Sequence, residues 1–125
     1  MKRIIIIYWL IPGLLFGCAP HTKRIDSVDI SQVKSGENFI IVLESNSTTG
    51  YSWELSQPLD KNYIALISAK YVPGQSKLIG AAGKEVWTFK ALKPGKPVIS
   101  FSYLRPWEKD EQPADKKEFR LIIRQ

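Results

Sequence analysis

One histidine, His21, and one cysteine, Cys18, are the only residues of their kinds in the chain, and both lie near its N-terminus. A Ser–His or Cys–His nucleophile pair therefore has no histidine from the folded region to draw on, and a zinc site would need carboxylates alone. The Asp and Glu residues are scattered singly, apart from Glu108-Lys109-Asp110-Glu111, which suits a solvated hairpin tip better than a general acid/base pair. No catalysis, metal or cofactor is expected. The chemistry on offer is recognition, at three short stretches. The first, Asn46-Ser47-Thr48-Thr49-Gly50-Tyr51, is a run of small polar side chains ending at a glycine. Gly50 can take a positive φ, and Asn and Thr can bond their own main chain, which suits a tight projecting turn that leaves the Thr hydroxyls to a partner. The second, Gly80-Ala81-Ala82-Gly83, lets another main chain approach closely. The third, Arg105-Pro106-Trp107, sets a flat indole after a backbone stiffened by proline. Arg and Trp dominate interface hot spots. Equally, Trp107 could fold back as a core plug and Arg105 pair with a local carboxylate.

These stretches need a scaffold, and the intervening sequence supplies strands. Period-two runs occur at Val28 to Val33, Asn38 to Glu44, Tyr51 to Ser56, Tyr63 to Ala69, Glu85 to Leu92, Pro97 to Leu104 and Lys117 to Arg124, separated by turn signals such as Lys93-Pro94-Gly95. No segment keeps a helical period over ten residues, and Tyr63 to Lys70 is the most ambiguous piece. About seven strands joined by Gly/Pro turns predict an all-β fold, an immunoglobulin-like β-sandwich, with a small open barrel as the competing arrangement. Tyr51 with Trp53, and Trp87 with Phe89, share strand faces and read as core or rim. In a sandwich of this kind the connections between strands two and three, four and five, and six and seven leave at one end, and the three stretches occupy those connections.

The N-terminus reads as an export signal. A basic start precedes an apolar run from Ile4 to Phe16 that is short for a membrane span. Leu15-Phe16-Gly17-Cys18 looks like a lipobox, the site where bacterial lipoproteins are cut and lipidated on the cysteine. The expected organisation is a lipoprotein signal peptide over 1–17, lipidated Cys18 and a tether over 18–27, and one domain over 28–125. Removing the first 17 residues lowers the formal net charge from +6 to +4. No basic run interleaved with aromatics suggests a nucleic-acid groove. Ala19 after the cysteine resembles an outer-membrane destination, so the expected location is the bacterial cell envelope, with membrane contact through the lipid anchor only.

Together, the Asn46–Tyr51 stretch with Trp53 two positions on, the Gly80–Gly83 stretch and Arg105-Pro106-Trp107 resemble the chagasin family of cysteine-peptidase inhibitors, over about Glu37 to Leu121. The resemblance implies a tight, reversible inhibitor of papain-like (clan CA) cysteine peptidases whose three loops occlude the active-site cleft, and a monomer is expected. It implies peptidase-binding roles for Asn46, Ser47, Thr48, Thr49, Gly50 and Tyr51, with Thr49 nearest the catalytic cysteine. It also implies contact through Gly80, Ala81, Ala82 and Gly83 beside the non-primed groove, and through Arg105, Pro106 and Trp107 on the primed side. Two departures stand out. Ser47 replaces the family's usual proline, and Ala82 replaces the middle glycine of Gly-x-Gly-Gly, at a cost of about 1 kcal/mol if that position needs a positive φ. The alternative is an envelope binding module for a peptide, glycan or protein without peptidase inhibition.

Overall fold

A computed structural model describes residues 22–25, 31–74, 82–108 and 110–125. Cys18, Gly80 and Ala81, together with the N-terminal signal, lie outside them. Two four-stranded sheets face each other, so the arrangement is a sandwich and not a barrel. One sheet has the order β1-β3-β6-β5, from β1 (Lys23–Ile25), β3 (Asn38–Ser45), β6 (Gly83–Ala91) and β5 (Ile64–Val72). The other has the order β2-β8-β7-β4, from β2 (Ser31–Lys34), β8 (Asp115–Arg124), β7 (Val98–Leu104) and β4 (Ser52–Leu55). Pairings are antiparallel except β1 on β3 and β2 on β8.

The expected alternation is what fills the space between the sheets. In β3, Phe39, Ile41 and Leu43 point inward and are buried; in β8, Phe119, Leu121 and Ile123 do the same. The layers meet through aromatic edges, with Trp87 and Phe101 T-shaped at 5.0 Å and Phe89 and Phe101 at 6.4 Å, while Phe119 stands edge-on to Phe101 within its own sheet at 5.8 Å. Each such side chain contributes roughly 1.5–3 kcal/mol of apolar burial, and edge-to-face rings add to it.

Two elements differ from the sequence expectation, and one ambiguous piece is settled as a strand. Lys23–Ile25 was expected within a tether, yet it pairs with β3 and buries Ile25 at 3% exposure. A three-residue strand is too short to show periodicity, and only the neighbouring β3 edge draws it into the sheet. The ambiguous Tyr63 to Lys70 piece is strand β5, which lies at a sheet edge with Leu66 and Ile67 exposed, so its apolar pattern is not clean. Gly83 belongs to β6 opposite Ser45 rather than to a loop. A side chain there would strike the Tyr71 ring and the Val72 carbonyl on the adjacent strand, which accounts for the glycine.

Candidate functional site

Register places the three connections at one end. The last residue of β3, Ser45, pairs with the first of β6, Gly83; the last of β5, Val72, pairs with Lys84; and Ser52 at the start of β4 pairs with Leu104 at the end of β7. The β3–β4, β5–β6 and β7–β8 loops therefore emerge side by side.

The first loop is a single 3₁₀ turn, Ser47–Thr49, closed at both ends by its own residues. Asn46 is extended (φ −116°, ψ 96°) and its Oδ1 accepts from the Thr48 N–H at 3.2 Å, as a capping side chain does. The same oxygen accepts the Thr48 hydroxyl at 2.6 Å, while the Thr49 hydroxyl donates to the Asn46 carbonyl at 2.7 Å. Gly50 closes the turn at φ +80°, donating its N–H to the Ser47 carbonyl. The threonine hydroxyls were expected to stay available to a partner. Their protons are instead spent inside the turn, because two hydroxyls three or fewer residues from Asn46 find acceptors there without any change of fold.

The third loop lies on the first. A Cβ at Gly50 would run into the Trp107 indole, so glycine is needed both for its backbone angle and to seat the ring. Trp107 is nonetheless 69% exposed, which rules out the core-plug reading. Arg105 behaves as a strut. Its Nε donates to the Thr49 carbonyl at 3.1 Å, one terminal nitrogen meets Glu108 at 3.2 Å, and the guanidinium lies 4.5 Å from the centre of the Tyr51 ring. The local carboxylate pairing considered for Arg105 is thus real, and it coexists with a bond across to the first loop.

Two residues that the sequence reading passed over hold this end together. Tyr103, two positions before Arg105, accepts the Asn46 N–H on its phenolic oxygen at 3.0 Å, and its ring packs against Tyr51 at 5.2 Å and Trp53 at 4.8 Å. Glu85 on β6 accepts the Trp53 N–H at 3.0 Å, linking the two sheets below the loops. The alternation of Val98–Leu104 marks Tyr103 as facing inward, but nothing local announces a partner 57 residues away. Tyr51 and Trp53 are supports, half-buried and 5% exposed respectively.

The second loop enters the described residues at Ala82, which is exposed and leads into buried Gly83. No non-glycine residue described has a positive φ, so the strain considered at Ala82 does not arise. Pro73 and Gly74 on one side and Ala82 to Lys84 on the other line a shallow recess of about 460 Å³ where β5 ends and β6 begins. Among the described residues no group of three or more His, Cys, Asp or Glu could hold a metal.

Residues 32–123 match the family model described as the chagasin family peptidase inhibitor I42, most of the chain. The chain belongs to the chagasin family. Within that family, amoebiasin-2 of Entamoeba histolytica is 32% identical over 84 residues, covering 67% of this chain and 68% of its own. Chagasin of Trypanosoma cruzi is 33% identical over 78 residues, covering 60% of this chain and 71% of its own. The crystal structure of a cysteine protease inhibitor from Entamoeba histolytica superimposes with a TM-score of 0.68 at 25% identity, over 83% of this chain and 95% of that one.

These relatives correct one part of the sequence reading. A bacterial envelope lipoprotein was expected, lipidated at Cys18, bound to a membrane through that anchor and placed in the outer membrane. The similar proteins come from eukaryotic parasites, and none of them is named as a lipoprotein. The expectation rested on a basic start, an apolar run and four residues ending at Cys18, all outside the described residues, and a motif that short carries little information by itself. Among the described residues no helix is long and apolar enough to cross a membrane. The alternative of a binding module without inhibition gives way to the family's function.

Proposed function

We propose that the ridge built from the first and third loops, flanked by the glycine-bearing second loop, is the surface that closes a peptidase cleft. As a member of the chagasin family the protein is a reversible inhibitor of papain-like cysteine peptidases, and it does no chemistry of its own. The observation that carries the proposal is the exposed Trp107 indole seated on Gly50, on a loop that Arg105 ties to the Thr49 carbonyl. An anchor of that size, fixed in place before binding, loses little freedom when a partner covers it.

The turn also explains how a cleft could be filled without the filler being cut. Attack by a thiolate needs a carbonyl carbon about 3–3.5 Å away with its oxygen free to receive charge. In the turn three of those oxygens are engaged. The Asn46 carbonyl accepts from both the amide and the hydroxyl of Thr49, the Ser47 carbonyl from Gly50, and the Thr49 carbonyl from Arg105. Cleavage at any of those three carbonyls would require its bonds to open and the 3₁₀ turn to straighten. Occlusion needs neither. In this reading Thr49 lies nearest the catalytic cysteine, Asn46 to Tyr51 fill the centre, Gly80 to Gly83 run along the non-primed side, and Arg105 to Trp107 lie on the primed side.

The test is the inhibition constant against papain for the wild type, Thr49→Ala and Trp107→Ala, with the inhibitor weighed by mass spectrometry after overnight contact. Both variants are expected to inhibit more weakly while the wild type stays uncut. Equal inhibition by all three, or a cut within 46–50, would remove the ridge as the binding surface.

A further inference from the structure

The end of the sandwich opposite the loops carries a different surface. Lys34 at the end of β2 pairs in register with Arg124 at the end of β8, Lys90 near the end of β6 pairs with Asn38 at the start of β3, and the turn bearing Lys93 and Lys96 is held there by the Gly95–Ile123 bridge. Lys34, Lys90, Lys93, Lys96 and Arg124 are all exposed. The described acidic side chains at this end are Glu37 and Asp60, and both are engaged by backbone amides: Glu37 by Lys34 N–H at 2.9 Å and Asp60 by Asn62 N–H at 3.2 Å. Among the described residues the ion pairs are Arg105–Glu108 and Arg120–Glu118, so none of these five cations is paired with a described carboxylate. At the loop end, by contrast, Glu44, Glu85, Glu108, Asp110, Glu111 and Asp115 offset the cations present. Folding thus collects much of the chain's positive excess at one end, which the linear sequence does not reveal.

We propose that this end binds a linear acidic polysaccharide, one bearing sulfate or carboxylate groups along its length, while the inhibitory ridge faces away and stays free. Three observations choose that occupant. The cations stand on both sheets, whose faces are about 10 Å apart, so the ligand must repeat its negative charge over distance. Beside them runs a groove of about 340 Å³ lined by Lys23, Lys34 and Arg124, in which the one acidic side chain, Glu37, is engaged by the Lys34 N–H; a polymer chain can enter it and a planar bilayer cannot. The aromatic ring at this end, Tyr63, is half-buried and already covered by the Lys93 ammonium 4.8 Å from its centre, leaving no platform on which nucleic-acid bases could stack.

The experiment titrates the whole chain with heparin, a phosphatidylglycerol vesicle and a single-stranded oligonucleotide, at several salt concentrations. It compares Lys34→Gln/Lys93→Gln/Arg124→Gln with an equal charge removal elsewhere, Lys70→Gln/Lys116→Gln/Lys117→Gln. Heparin is expected to bind most tightly. The far-end variant is expected to lose tenfold or more in affinity, with the slope of log K against log salt reduced by about 2–3, and the other variant less than threefold. Equal losses in the two variants, or tighter binding to the vesicle or oligonucleotide than to heparin, would overturn the proposal. Papain inhibition by the far-end variant is expected at the wild-type level, with and without heparin, so the result is separable from the inhibitory reading.

Discussion

The two ends of this sandwich solve recognition in opposite ways. At the loop end, the polar groups of the first turn are bonded to one another or to Tyr103 and Arg105, and the exposed indole of Trp107 is seated on a glycine. At the far end, Lys34, Lys90, Lys93, Lys96 and Arg124 are exposed and none of them is paired with a described carboxylate side chain. The first kind of surface spends its bonds on shape, so its affinity depends on one geometry and little on salt. The second depends on charge density, tolerates many ligand shapes and weakens as salt screens it.

The sharpest way to break that contrast is to remove the anchor. Trp107→Ala is expected to raise the inhibition constant about 30-fold or more, the loss of about 2 kcal/mol that marks a hot spot, with no change in melting temperature because the ring is 69% exposed. Gly50→Ala tests the seat beneath it. The left-handed backbone costs an alanine about 1–2 kcal/mol, and the ring must move, so inhibition is expected to weaken about 10-fold or more while near-ultraviolet circular dichroism reports an altered Trp107. Unchanged inhibition would mean that the ring need not be held.

Tyr103→Phe separates preorganisation from contact. It removes the acceptor for the Asn46 N–H without touching the exposed surface. A bond of this kind is worth about 0.5–1.5 kcal/mol, so a loss of about 2- to 10-fold is expected. It should appear chiefly as slower association in stopped-flow traces, since fewer molecules hold the competent loop. A faster dissociation rate with unchanged association would assign Tyr103 to direct contact instead.

Smaller effects sharpen the picture from the other side. Ser47 is the first residue of the 3₁₀ turn, a position that suits proline, and Asn46 before it is already extended as a residue preceding proline must be. Ser47→Pro is therefore expected to stabilise the loop by about 0.4–1 kcal/mol and tighten inhibition up to about 5-fold, read as an inhibition constant. Smallest of all, raising salt from about 0.05 to 0.5 M is expected to shift papain inhibition less than threefold, in the regime where exposed charges are screened beyond a few ångströms.

Much of this was legible in the chain itself. The sandwich could be read because alternation over Asn38–Glu44 or Pro97–Leu104 states which side chains face inward, and the core residues Phe39, Ile41, Ile99 and Phe101 obey it. The motifs Asn46–Tyr51 and Arg105–Trp107 pointed to the family. Reading went wrong where a few residues bore the whole inference, as at Leu15–Cys18, or where a neighbouring strand decided the state, as at Lys23–Ile25 and Gly83. The placement of Trp107 stayed open because composition does not say whether an indole turns in or out.

By itself the sequence determined what acts over a few residues: the period of each strand, the self-capped turn from Asn46 to Gly50, and the order in which three special loops follow one another. Only the tertiary structure decided what those loops do together. Tyr103 reaches Asn46 and Arg105 reaches Thr49 across 57 and 56 residues of chain, and lysines and arginines separated along the sequence meet at one end through strand register. Local hydrogen bonds are specified by the residues that make them, whereas long-range contacts exist only once a packed core has fixed which strand ends are neighbours.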